Sequence, residues 1–132
     1  MPPPKCLTVA AAAAIGFLLA QCRAAVAEPV PLPGTQPVAV RMIEAIKDQS
    51  YEDFLGDGDE HLKSQFGRPQ FDELCINYAA PLRKGYRLFY VDQLRRRKTV
   101  VLLWKMTVAD SQDETLLTIT MRDGKVEVFS IQ

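Results

Sequence analysis

Cysteine, histidine and tryptophan are scarce in this 132-residue chain, at three, one and one. Cys6 and Cys22 fall in the first 27 residues, so Cys75 stands alone in the remainder and no intramolecular disulfide braces it. A Cys-x-x-Cys pair, a glycine-rich phosphate loop and a nucleophile-elbow serine are all missing, which removes the commonest metal, nucleotide and hydrolase motifs. No cofactor and no metal are expected. Charge of one sign is missing too: 16 basic residues balance 16 acidic ones, for a net charge of 0. That excludes a histone-like polycation and a highly charged disordered chain. The apolar run over residues 7–20 falls short of the roughly 20 residues that a permanent membrane helix needs. The length accommodates one domain.

The N-terminus reads as an export signal. Lys5 gives a weakly positive start, residues 7–20 form an uncharged apolar core, and Ala25-Val26-Ala27 precede Glu28-Pro29. Small residues at 25 and 27 fit a cleavage site after Ala27. Residues 1–27 are therefore expected to be a signal peptide, and the product periplasmic or secreted. The alternatives are an uncleaved anchoring segment and lipidation at Cys22, although Gln21 stands where a lipoprotein signal wants a small residue. After cleavage Cys75 is expected to act as a buried small hydrophobe, and no transmembrane segment remains.

Residues 28–37 contain four prolines, so 28–36 are expected to form an extended leader and 37–132 the domain. Pro37 suits a first helical turn. Val38, Met42, Ile43 and Ile46 then recur at helical spacing over about twelve residues. Ser50 and Asp53 suggest a capping box over a short turn at 51–55. Asp59 is placed to cap a short helix over 60–66. Pro69 opens another helix, with Phe71, Leu74, Cys75 and Tyr78 on one face, and Pro81 and Gly85 close it. From Gly85 the period changes to two. Tyr86, Leu88, Tyr90 and Asp92 share one face of a strand; Arg87, Phe89 and Val91 share the other. Val100, Leu102, Trp104, Met106 and Val108 alternate along the next, and Thr115, Leu117, Ile119 and Met121 along a third. Asp123-Gly124 signals a tight hairpin. In the last strand Val126 and Val128 are expected opposite Phe129 and Ile131. Short connections force antiparallel neighbours. The fold class is α+β: N-terminal helices, chiefly near 37–48 and 69–80, covering one face of a four-stranded antiparallel sheet.

Two stretches carry a family resemblance. Lys47-Asp48-Gln49-Ser50-Tyr51-Glu52-Asp53-Phe54 follows the first helix, and a strand, an Asp123-Gly124-Lys125 turn and a final strand close the chain from Thr115 to Ile131. Over about residues 36–132 the pattern resembles the cystatin-like, NTF2-like α+β group, including small exported bacterial proteins of uncharacterised families. The resemblance implies a curved sheet that can leave a conical cavity. Some members of that group use it for isomerase or dehydratase chemistry, with an Asp–His or Asp–Tyr pair inside. Others bind small molecules or proteins.

Three groups of residues carry the candidate chemistry. Tyr86, Tyr90, Trp104 and Met106, with Phe89 and Phe129, could converge to line an apolar ligand pocket or fill an ordinary core. No catalytic set is assigned; Asp92, expected beside Tyr90, and His61 are the titratable groups that an isomerase or lyase would use as base. Asp57, Asp59, Glu60 and His61 crowd together but match no recognised metal-ligand spacing. Arg95, Arg96, Arg97 and Lys98 lie between two strands, where a cationic tip could contact an anionic surface or simply keep an apolar hairpin from aggregating. The expectation is a non-enzymatic exported domain that binds a small apolar ligand or a protein partner in the envelope. An NTF2-like enzyme and an envelope-associated structural protein are the alternatives. A homodimer is open, and no nucleic acid is expected.

Overall fold

Gly34 fixes where the first helix starts. Its φ of 81° lies in the left-handed region, which glycine occupies without a Cβ clash, and the chain turns there from the leader into α1 (Thr35–Lys47). The computed structural model describes residues 30–132. The expected signal segment, its cleavage after Ala27 and Cys22 lie outside the described residues. The helix starts two residues earlier than Pro37 suggested, because Thr35 is tied to the leader: its Oγ1 donates to the Leu32 carbonyl at 2.6 Å. Pro37 still falls in the first turn, where its missing N–H removes no helical bond.

The short helices follow from local caps. At α2 (Tyr51–Leu55), Ser50 Oγ accepts from the Asp53 N–H at 3.4 Å and donates to Asp53 Oδ2 at 2.8 Å. The reciprocal arm of a capping box is absent, because the Ser50 N–H is already bonded to the Ala45 carbonyl. At α3 (Glu60–Gln65), Asp59 Oδ1 accepts from the Leu62 N–H at 2.9 Å, the expected cap. The helix α4 (Arg68–Lys84) runs through Pro81 instead of stopping there. Pro81 sacrifices the bond to the Asn77 carbonyl, but residue 77 is exposed and water can serve that group. Buried Leu82 holds the last turn down, and Gly85 at φ 126° ends it.

The strands β1 (Tyr86–Arg96), β2 (Thr99–Val108), β3 (Glu114–Arg122) and β4 (Lys125–Ile131) form one antiparallel meander in chain order. The helices pack on one face of it, as the α+β reading expected. The β3–β4 turn has Asp123 and Gly124 both at positive φ, 50° and 78°, which suits the right-handed twist of the hairpin.

Two irregularities correct the alternation read from the sequence. In β1 the register slips at Val91: Tyr90 faces Trp104 across the ladder, but Asp92 faces Leu103. A bulge adds one residue and reverses every side chain beyond it. Asp92 therefore leaves the Tyr90 face and is exposed, while Gln93, opposite Leu102, takes the inner position. In β4 the slip at Glu127 puts Val126 on the same inner face as Phe129 and Ile131, while Val128 points outward and is exposed. Phe89, opposite Lys105, is also on the outer face and does not join the other aromatics.

The core lies between the helices and the inner sheet face. Val38, Met42, Ile43 and Ile46 of α1 and Phe71, Cys75, Ala79 and Leu82 of α4 meet Leu102, Trp104, Met106, Leu117 and Ile119. Phe54 sits among Phe66, Phe71 and Phe129 at centroid separations of 5.0, 5.1 and 5.1 Å. Cys75 packs as a buried hydrophobe, its thiol 3.7 Å from the Ile46 carbonyl.

Candidate ligand-binding site at the hairpin-tip end

The inner face of the sheet changes character along its length. Around its middle it is filled: Trp104 and Met106 are 1% and 0% exposed, and Tyr90 stands edge-on to Trp104 at 5.2 Å. At the start of β1, the Tyr86 hydroxyl donates to Glu44 Oε1, and Lys47 pairs with Oε2 of the same carboxylate. The Glu44 carboxyl is held below its ordinary range by its hydrogen bonds from Lys47 and then Tyr86. Burial, and then the bond to Glu44, pushes the Tyr86 phenol well above its usual value. The pair locks the end of α1 to the sheet. Thus Tyr86, Tyr90, Trp104 and Met106 share the inner face, as expected, but Trp104 and Met106 are embedded in packed core.

The opening lies at the other end. Where α1 begins beside the β1–β2 and β3–β4 turns, a crevice of about 350 Å³ separates the leader from the sheet. Val38, Val100, Leu102 and Met121 supply apolar wall, Pro33 and Gly34 close one side, and Lys98 and Asp123 stand among the lining residues. It lies at the start of α1, where Val100 and Met121 are only half-buried and Thr35 ties the leader back on itself at Leu32. A second concavity, of about 410 Å³, lies around Gly85 and Tyr86, but Arg87, Thr107 and Ser111 give it a more polar wall.

Two buried polar atoms lack hydrogen-bond partners among the described residues: the indole Nε1 of Trp104 and Oε1 of Gln93. Such atoms cost about 1–3 kcal/mol each. Gln93 is opposite Leu102 and Arg95 opposite Val100, both crevice residues, so Gln93 is the uncharged polar residue of β1 in register with the crevice. The sequence pointed to Asp92 for this role; only the bulge at Val91 substitutes a neutral amide for a carboxylate.

The acidic cluster is taken up by structure. Asp57 receives a two-pronged bond from Arg41, at 2.7 and 2.9 Å, and Asp59 caps α3. The segment between them pairs along the free edge of β4: the Val126 N–H donates to the Asp57 carbonyl, and the Asp59 N–H to the Val126 carbonyl. A Cβ at Gly58 would lie 2.6 Å from Leu62 Cδ2 and 3.2 Å from the Leu55 carbonyl, so a side chain there would displace buried Leu62. His61 is exposed on α3, away from the inner sheet face. Among the described residues no group of three or more His, Cys, Asp or Glu is placed to hold a metal ion.

The four cations Arg95, Arg96, Arg97 and Lys98 occupy the β1–β2 tip, all exposed. None forms an ion pair among the described residues. Arg96, Arg97 and Lys98 line an open concavity of about 680 Å³ together with Thr99 and Arg122. Arg122 joins them because the β2–β3 register sets it opposite Thr99. No local pattern shows this, since the two residues are 23 positions apart.

No protein-family model matches the chain, and no curated protein does. Similar solved structures include TerC co-crystallised with polyporic acid, at 16% identity and a TM-score of 0.42, with 74% of this chain and 88% of that one covered. An NTF2-like protein of unknown function from Cytophaga hutchinsonii is 7% identical at a TM-score of 0.42, with 77% and 91% covered. One from Burkholderia pseudomallei is 11% identical at 0.42, with 76% and 91% covered. The arrangement of helices on a four-stranded antiparallel meander is consistent with NTF2-like and cystatin-like architecture. No helix among the described residues is long and apolar enough to cross a membrane.

Proposed function

We propose that the domain is a non-catalytic binding module that takes a small apolar ligand in the crevice between α1 and the tip end of the sheet. The observation that carries this reading is the aliphatic wall of Val38, Val100, Leu102 and Met121 around about 350 Å³ of open space. Pockets of this kind are mostly apolar with few polar groups, and Thr35, Lys98 and Asp123 are the polar side chains that line this one, with Gln93 in register beside it. The isomerase or lyase alternative needs a titratable base in such a space. Asp92 is on the outer face and His61 is exposed on α3, so neither expected base lies there; Asp123 does line the crevice, but as an exposed residue of the β3–β4 turn.

The test is binding of a neutral fluorescent probe, N-phenyl-1-naphthylamine. The wild-type chain should enhance its emission saturably. Val100→Phe and Met121→Phe should each weaken binding about tenfold while the far-ultraviolet spectrum is unchanged. Unaltered binding in both variants would place the probe elsewhere and defeat the reading.

Residues 1–27 support export to the periplasm or beyond, and the intact mass of the exported product tests the cleavage. A second contact is favoured by the outer sheet face, where Phe89, Leu94, Leu116 and Val128 are 41–50% exposed. We propose a second copy of the chain as its occupant. On this face Lys105 and Glu114 already pair with each other at 2.9 Å, which leaves the four apolar side chains to carry the contact. Concentration-dependent sedimentation should show a dimer that Leu94→Lys and Leu116→Lys convert to monomer.

A further inference from the structure

Two concavities meet at one side chain. Lys98 lines both the apolar crevice on the inner side of the hairpin tips and the cationic concavity with Arg96, Arg97 and Arg122. The sheet separates them: Val100 and Met121 face inward, and Thr99 and Arg122 the other way. The tip end gathers Arg95, Arg96, Arg97, Lys98, Arg122 and Lys125 against only Asp123 and Glu127. The other described residues hold eight cations and thirteen carboxylates. The molecule is therefore strongly polar in charge, and its field steers anions to this end. Arg122 is shared with Glu127 at 3.0 Å, but the four cations of the β1–β2 tip form no ion pair among the described residues. Arg97 is also held at φ 43°, a conformation that a non-glycine residue adopts at a cost. Thr99 Oγ1 braces that turn by donating to the Arg96 carbonyl at 3.0 Å.

We infer that the ligand of the crevice is an anionic amphiphile: an acyl chain among Val38, Val100, Leu102 and Met121, and a phosphate head held by Lys98, Arg96, Arg97 and Arg122. This rests on the crevice reading above and names its ligand class. Unpaired guanidinium groups are the side chains best suited to phosphate oxygens. The aliphatic wall across the tip from them has no counterpart in a nucleic acid, and no aromatic side chain lines the cationic concavity for a base to stack on. A single lipid satisfies both halves by bending round the tip at Lys98, the residue that lines both concavities. Lys98, at their junction, reaches the head with its ammonium while its stem lies along the chain.

The experiment is displacement of N-phenyl-1-naphthylamine from the full chain by palmitoyl lysophosphatidylglycerol and palmitoyl lysophosphatidylcholine, each below its micelle concentration. The anionic lipid should displace the probe at a concentration about tenfold lower, and added salt should narrow the difference. The double variant Arg96→Glu/Arg97→Glu should bring the two lipids to parity without weakening the neutral probe. Three results would overturn the inference: equal displacement by the two lipids in the wild type, a preference that survives charge reversal, or displacement by inorganic phosphate as effective as by the anionic lipid. A single-stranded oligonucleotide that competes as strongly would also overturn it. Failure of the neutral probe to bind the wild type defeats the crevice reading itself, which keeps the two failures distinct.

Discussion

The middle of the inner sheet face and its tip end are built from the same kind of residue, yet they behave differently. Trp104 and Met106 lie under α1 and α4 and are sealed. Val100, four residues before Trp104 on β2, and Met121, its partner on β3, remain half-buried and border open space. Apolar alternation is the same in both places. What differs is whether a helix lies above, and that depends on where α1 begins. An apolar strand face is therefore not by itself a core or a pocket; its cover decides.

The sharpest way to break this comparison is truncation at each end of it. Trp104→Ala should destabilise the fold by about 3–5 kcal/mol, read by urea denaturation, because it leaves a large cavity. Met121→Ala should cost only about 1 kcal/mol, since its site already opens to solvent. Similar losses at the two positions would mean that the crevice is part of the sealed core.

Tyr86 tests the lock at the other end. Tyr86→Phe should lower stability by about 1 kcal/mol near neutral pH, since it removes one bond to a carboxylate that is partly exposed. The pH dependence has a definite sign. Glu44 has a depressed carboxyl, so its contribution is present above the unfolded value near 4.3 and is lost as pH falls through the lower folded value. Tyr86 has a raised phenol, so its contribution is full below about 10 and is lost as pH rises through the folded value. Denaturation followed against pH should show both limbs in the wild type. The alkaline limb should flatten in Tyr86→Phe, and the acid limb should weaken in Glu44→Gln.

Gln93 sharpens the boundary between the two regions. Gln93→Met should raise stability by roughly 1 kcal/mol, because it removes a buried acceptor with no partner. A loss of stability would show that the amide is satisfied in solution. The smallest effect is expected at the tip, where Arg97→Gly should raise the melting temperature slightly by relieving the positive φ, worth under about 1 kcal/mol. The same variant should weaken the anionic lipid. Opposite signs for stability and binding would mark Arg97 as retained for its charge.

Much of the fold was legible. The strand bounds of β2 and β4, the Asp123-Gly124 turn, the Asp59 cap and the helical faces of Val38, Met42, Ile43 and Ile46 follow from local period and turn chemistry. The bulges were not legible. Neither residue set beyond Tyr90 is apolar enough to reveal which one faces inward, and Val126 and Val128 are both valines that suit either face. The Asp57–Asp59 region showed only its charges. Its pairing with β4 depends on a strand almost seventy residues later, which no local pattern records.

The sequence by itself determined the elements, their antiparallel order and the concentration of positive charge at one turn, because periodicity, turn preference and charge are properties of neighbours in the chain. Tertiary structure alone decided which apolar side chains are sealed and which are open, that Gln93 and not Asp92 faces inward, and that Arg122 stands with Arg96, Arg97 and Lys98. Those outcomes depend on register and on the reach of α1, which are set by contacts between residues far apart in the chain.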